Sequence, residues 1–177
     1  MVNGEAIDLK IREAVSTDAK GIAIVQVDSW RTTYKGIVPD KYLEKLSYSD
    51  REKVWQQAIS KGKMYVADVK GKIVGFVIGG KERSGNYPSY GGEVYAIYLL
   101  EEYQGKGIGS LLMKPIVTDF LHQQIDSMIV CVLKDNDSRF FYERLGAKQI
   151  DSIEIEIGGK KLTELVYGWE NIDGILE

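Results

Sequence analysis

One stretch limits the folds open to this 177-residue chain more than any other: EVYAIYLL, Glu93 to Leu100, followed after three residues by QGKGIGS, Gln104 to Ser110. In an extended strand Val94, Ala96, Tyr98 and Leu100 share one face and Tyr95, Ile97 and Leu99 the other. Both faces are apolar, so the strand belongs in the middle of a sheet covered on both sides. Beyond the glycines, Ile108, Leu112, Ile116 and Phe120 recur every four residues, the stripe of a helix packed on that sheet. A strand, a glycine turn and a helix in succession leave unpaired N–H groups at the helix start, aimed at one point. Gly105, Gly107 and Gly109 allow a close main-chain approach, and Lys106 adds a positive charge. The natural ligand is a phosphate or pyrophosphate, and the alternative is a glycine connection that holds nothing. Neither common nucleotide loop fits, because GKGIGS lacks the GxxxxGK[ST] spacing and has Ser110 where GxGxxG needs its last glycine. The dinucleotide fold also wants an acidic residue ending the following strand, where this chain has Val132 and Leu133.

The remaining elements alternate between the two periodicities. Ile7 to Arg12 reads as a half-buried strand, and Ser16 or Asp18 caps a helix running to about Tyr34. Gly36 and Pro39 end it, Asp40 to Leu46 is a short helical stretch, and Ser49 to Ser60 is a helix capped by Ser49 or Asp50. Met64 to Val69 and Lys72 to Gly80 flank Lys70 and Gly71 as a hairpin. Pro115, inside the helix that follows the glycine loop, removes the bond to the Leu111 carbonyl and predicts a kink. Ser127 to Leu133 is a buried strand, Asn136 to Leu145 a helix closed by Gly146, and Ile150 to Ile157 with Lys161 to Trp169 a last hairpin about Gly158 and Gly159.

Twenty-three basic against 26 acidic residues give a net charge of −3, with no basic cluster, so nucleic acid is a poor partner. No apolar run approaches the roughly 20 residues of a bilayer span. The start of the chain shows no export signal, and a cytoplasmic protein is expected. Cys131, within MIVCVL, reads as a small buried hydrophobe, and the lone His122 as solvent-exposed; no metal site is expected from them.

Two segments together resemble the GCN5-related N-acetyltransferases. Gln104, Gly105, Lys106, Gly107, Ile108 and Gly109 match the family's Q/RxxGxG/A signature between a strand and a helix, and NDSRFFYERLGA, Asn136 to Ala147, is similar to its Nxx(A/S)xxFYExxGF element. The element order matches as well. The resemblance implies one α/β domain over residues 1–177, with its core at about 7–169. Its fold would be a mixed, mostly antiparallel sheet of about seven strands flanked by helices, with central strands four and five splayed. It implies a bacterial-type enzyme that moves the acetyl group of acetyl-coenzyme A directly to an amine. Loop amides from Gln104 to Gly109, with Ser110, would hold the pyrophosphate. Backbone at Ile97, Tyr98 and Leu99 would pair with the pantetheine arm as with a further strand, and Asn136 would bond the same ligand or cap its helix.

The same resemblance assigns acid and base. Tyr142 matches the tyrosine that protonates the leaving thiolate, and a phenol with a pKa of about 10 stays protonated at neutral pH. Phe141 and Leu145, four apart, are expected to form the core stripe, turning Tyr142 away from it. Glu93 matches the glutamate that serves as base in histone-modifying members; the alternative is a carboxylate in solvent at the strand edge. No acyl-enzyme is expected. Asp28, Trp30, Arg31 and Tyr34 are the candidates for the acceptor pocket, although Trp30 and Tyr34 also have core spacing. The acceptor reading favours a small-molecule amine over a protein lysine or N-terminus, and over a non-catalytic acetyl-coenzyme A module. A homodimer through the last hairpin, with Tyr167 and Trp169 as its contact, is a further expectation.

Overall fold

Hairpin turns and one glycine loop arrange the strands into a single sheet in the computed structural model, which describes residues 7–177. Residues 1–6, part of the segment without a legible export signal, lie outside the described residues. Strand β1 (Leu9–Glu13) pairs with β2 (Met64–Val69), which turns through Lys70 and Gly71, at φ 50° and 87°, into β3 (Lys72–Lys81). Next come β4 (Gly92–Leu99), β5 (Met128–Leu133) and the hairpin of β6 (Lys148–Ile157) and β7 (Lys160–Trp169). The seven strands lie in the order β1-β2-β3-β4-β5-β7-β6, antiparallel throughout except for β4 and β5.

That parallel pair is short. Gly92, Glu93 and Val94 pair with Met128, Ile129 and Val130, and beyond them the two strands separate. The edge of β4 from Ala96 to Leu99 that faces β5 therefore has no strand partner, and a wedge opens in the middle of the sheet.

Helices cover both faces. Helix α1 (Ala19–Thr33) follows a 3-10 turn at Ser16–Asp18, so the expected single helix from Ser16 is divided at its start. Helix α2 (Asp40–Glu44) is followed by α3 (Tyr48–Lys61), whose cap is Ser47 rather than Ser49 or Asp50; its Oγ accepts from the Asp50 N–H at 3.2 Å. Helix α4 (Ile108–His122) runs continuously through Pro115, and α5 (Ser138–Arg144) ends at Gly146, which has φ 94°. Trp55 of α3 meets the Phe76 ring at 5.1 Å, placing α1 and α3 on one face. On the other face α4 lies so close to β3 that a Cβ at Gly75 would sit 3.2 Å from Leu112, and one at Gly79 would sit 3.3 Å from Ile116 and Phe120.

Three expectations are corrected by packing. Strand β4 does not alternate simply, because Ile78 pairs with Ala96 while Gly79 pairs with Val94, leaving Tyr95 as a bulge. The extra residue turns Tyr95 to the side of Glu93: the Arg83 guanidinium stacks 3.9 Å from the Tyr95 ring and also binds the Glu93 carboxylate. Tyr167 and Trp169 are buried in this chain's own core, against Tyr142, and offer no surface for a dimer. Cys131 is exposed, not buried, because the separation of β4 from β5 uncovers the face of β5 on which it lies.

Candidate active site

The wedge between β4 and β5 continues into a cleft of about 780 Å³, within the range of small-molecule sites. The structure brings to its wall Tyr34, Ile97, Tyr98, Leu99, Gln104, Gly105, Gly107, Gly109, Ser110, Asn136 and Tyr142 from the expected set. Lys106 does not line it, and Ile108 is buried beneath the loop as the first core residue of α4. Ser29, Thr32 and Thr33 of α1 and Phe141 of α5 join the wall without having been expected. The signal of the α1 residues in the sequence is weak, since small hydroxyl residues near a helix end read equally well as solvent-facing, and Phe141 reads as core.

The loop geometry suits an anion. Gly107 caps α4 at φ 80°, and Gly105 stands at φ 71°, a left-handed conformation that costs other residues. The first N–H groups of α4 point out of the helix start, where its dipole favours negative charge. Gln104 donates from Nε2 to the Leu99 carbonyl at 3.0 Å, and Ser29 Oγ donates to the same carbonyl at 3.2 Å, so loop, strand and α1 meet at the end of β4.

Asn136 is buried at the cleft wall and makes two side-chain bonds, one of them at the start of α5. Its Oδ1 accepts from the Ser138 N–H at 2.9 Å, and its Nδ2 donates to the Tyr34 hydroxyl at 3.4 Å. Asp137 occupies the N-cap position of α5 without a side-chain cap bond. Tyr34 lies with Val38, Leu43, Leu133 and Leu162 in a second small core, so it is core and cleft wall at once. Trp30 packs edge-on against it at 4.7 Å, its Nε1 buried without a hydrogen-bond partner. Asp28 and Arg31 lie elsewhere: the Tyr48 hydroxyl donates to Asp28, and Arg31 binds the carbonyls of Leu43 and Leu46 at 3.3 and 3.0 Å, tying α1 to the segment before α3.

Helix α5 is turned differently from its expected stripe. Tyr142 is its buried residue, packed 6.1 Å from Trp169 and 6.5 Å from Tyr167, whereas Phe141 and Leu145 line the cleft. The reason is that α5 lies over the β5–β7 face carrying Val130, Val132, Leu165 and Tyr167, so the residue facing the sheet is 142. Tyr142 still borders the cleft, and burial pushes its phenol up, which keeps it protonated.

Glu93 faces a second cavity, of about 420 Å³, on the α1 side of the sheet. Its floor is Ile129, Cys131, Glu164 and Ile153, and its roof is the segment from Glu82 to Tyr87 between β3 and β4. Tyr87 donates to Asp151 at 2.7 Å and holds that roof on β6. The Glu93 carboxylate is 6% exposed and accepts from Arg83 Nη2 at 2.6 Å, Nε at 3.1 Å and backbone N–H at 3.2 Å. Cys131 borders both cavities, so they meet at the mouth of the wedge. Crowding by protein atoms, then the Glu164 and Glu93 carboxylates, push its thiol up to about 12.

An Acetyltransferase (GNAT) family model matches residues 27–147, a span that includes the wedge, the glycine loop and Tyr142. The chain belongs to the GNAT family. Over 165 residues it is 39% identical to an uncharacterised N-acetyltransferase, YuaI, of Bacillus subtilis strain 168, covering 93% of this chain and 95% of that one. Its fold is similar to that of the PaiA N-acetyltransferase of Thermoplasma acidophilum, solved with coenzyme A, at a TM-score of 0.72 and 22% identity over 89% of this chain and 98% of that one. It is also similar to YncA of Salmonella typhimurium, a putative acetyltransferase solved with acetyl-coenzyme A, at a TM-score of 0.71 and 17% identity over 94% and 95% of the two chains. The chain is thus an acyltransferase of GNAT architecture, with the seven-stranded mixed sheet and the β4–β5 wedge expected of it. Among the described residues no helix is long and apolar enough to cross a membrane.

Proposed function

We propose that this protein transfers the acetyl group of acetyl-coenzyme A directly to a small cationic amine, with the two substrates meeting at the wedge between β4 and β5. The observation that carries the reading is the junction of two unlike cavities at Cys131. One has a glycine loop, a helix start and a free strand edge, the features that bind a long phosphorylated ligand. The other is small and lined by Glu82, Glu93, Asp151 and Glu164 against a single cation, Arg83. A volume of about 420 Å³ with four carboxylates in its lining suits a small cationic amine.

Amides from Gly105 to Ser110 hold the pyrophosphate, and the Ile97 to Leu99 edge pairs with the pantetheine arm, which brings the thioester to the mouth of the wedge. There the Tyr142 hydroxyl donates to the departing sulfur. A lysine-like ammonium has a pKa of about 10.4 and must lose a proton before it attacks. The base is a carboxylate of the acceptor cavity, Glu93 being the one that the sequence picks out. Direct transfer is favoured over an acyl-enzyme by the state of Cys131, whose thiol is held far from the thiolate that acylation needs. The test is free-thiol release from acetyl-coenzyme A with a panel containing a diamine, an amino sugar, an amino acid and a lysine peptide. Acetylation of a small amine in preference to the peptide supports the reading, and the reverse preference refutes it.

A further inference from the structure

Glu93 is an awkward proton acceptor. Arg83 engages both of its oxygens, with backbone N–H to Oε1 at 3.2 Å and the guanidinium on Oε2 at 2.6 and 3.1 Å. Glu164 is placed differently. It stands on β7 opposite Leu133 of β5 and Ile153 of β6, half-buried in the floor of the acceptor cavity and on the face that carries Cys131. Among the described residues it has no ion-pair partner.

We propose that Glu164 takes the proton from the acceptor ammonium and that Glu93, ion-paired to Arg83, tunes it. This rests on the function proposed above. An acceptor whose nitrogen reaches the thioester at the mouth of the wedge passes Cys131, and Glu164 is the carboxylate beside that point that makes no ion pair among the described residues. One N–H bond of the ammonium breaks and its proton goes to Glu164, giving a carboxylic acid and a neutral amine. The amine nitrogen bonds to the thioester carbon, the carbon–sulfur bond breaks, and sulfur takes the Tyr142 proton. The nitrogen's surplus proton restores the phenol, and Glu164 returns its own to solvent.

The surroundings suit a base. Glu164 faces Cys131 from β5, Glu93 from β4, Asp151 from β6, and Glu82, Arg83 and Tyr87 from the roof. Burial first, then the Glu93 charge, raise its carboxyl pKa against a smaller opposing effect of the Cys131 thiol, the direction that suits a general base. The base form exists above that raised value, so kcat/KM rises as pH climbs through it. The ionised form is disfavoured by folding, a cost absent in acid and present at neutral pH.

The experiment is the pH profile of kcat/KM for wild type, Glu164→Gln and Glu93→Gln, with the best amine of the panel, together with Tm against pH. Glu164→Gln should lower kcat on the order of 100-fold, lose the acidic rise, bind acetyl-coenzyme A as wild type does, and gain in Tm at neutral but not at acid pH. Glu93→Gln should keep the rise but shift it to lower pH. Glu164→Asp, which keeps a carboxylate, should keep the rise at a reduced rate and guards against a folding defect in the amide variant. Wild-type rate and rise in Glu164→Gln, or loss of the rise in Glu93→Gln alone, would overturn the assignment. Absence of amine-dependent thiol release in the wild type would instead overturn the proposed function and the assignment with it, while the Tm comparison still reports the state of Glu164.

Discussion

At the scale of single residues, Tyr142 illustrates what one-dimensional pattern can and cannot deliver. Its place in FYERLG was legible, but its burial was not, because the side α5 presents depends on the β5–β7 face beneath it. Removal of the hydroxyl by Tyr142→Phe leaves the ring contacts with Tyr167 and Trp169 intact. It is expected to lower kcat by about 100-fold or more while calorimetry finds acetyl-coenzyme A affinity unchanged. Cys131 departs from the burial its sequence predicts for a related reason: an apolar run implies burial only where a neighbouring strand covers it, and β4 diverges from β5 there. Glu164 gave almost no signal, a carboxylate between Leu162 and Leu165 in a strand that otherwise reads as core.

At the scale of elements, the hairpins, the glycine loop and the order of strands and helices followed from turn chemistry and periodicity, since both are local. The bulge at Tyr95 did not, because the register of β4 against β3 is set by contacts far apart in sequence. The loop makes a sharp prediction. Gly107 caps α4 at φ 80° with open space around its Cβ position, so Gly107→Val is opposed by backbone conformation rather than by a clash. A left-handed β-branched residue costs at least about 1–2 kcal/mol, and relief of that strain displaces the amides that face the pyrophosphate. Lower Tm and loss of detectable acetyl-coenzyme A binding by calorimetry are expected; wild-type binding would exclude the loop as the phosphate site. Gly159→Ala, at the same φ of 80° but in the β6–β7 turn and outside the cleft wall, should lower Tm without weakening binding.

At the scale of the whole molecule, the sheet edge far from the acceptor cavity is tied to the start of α1 by an ionic cluster. On the β1 side, Asp18 is buried and accepts from Arg12 Nη1 and Nη2 at 2.8 and 2.9 Å and from the Val15 N–H at 2.8 Å, while Arg12 Nε reaches Asp68 at 3.1 Å. The Arg12 bonds hold the Asp18 carboxyl below its ordinary range. A carboxyl depressed by folding stabilises the fold above its unfolded value and loses that contribution as pH falls through the folded one. Asp18→Asn should therefore destabilise by about 1.5–3 kcal/mol at pH 7 in chemical denaturation, with the difference from wild type shrinking in acid. The fold was the most legible level, because the element order and two spaced motifs agree with each other. The acceptor cavity was the least, because its walls come from β4, β5, β6, β7 and the roof segment, which converge only in three dimensions. The account as a whole turns on two substrates meeting at the junction by Cys131, and two-substrate initial-rate kinetics of thiol release addresses that directly. Release that depends on the amine, with intersecting double-reciprocal lines, is the predicted result; parallel lines, or no amine-dependent release, would contradict it.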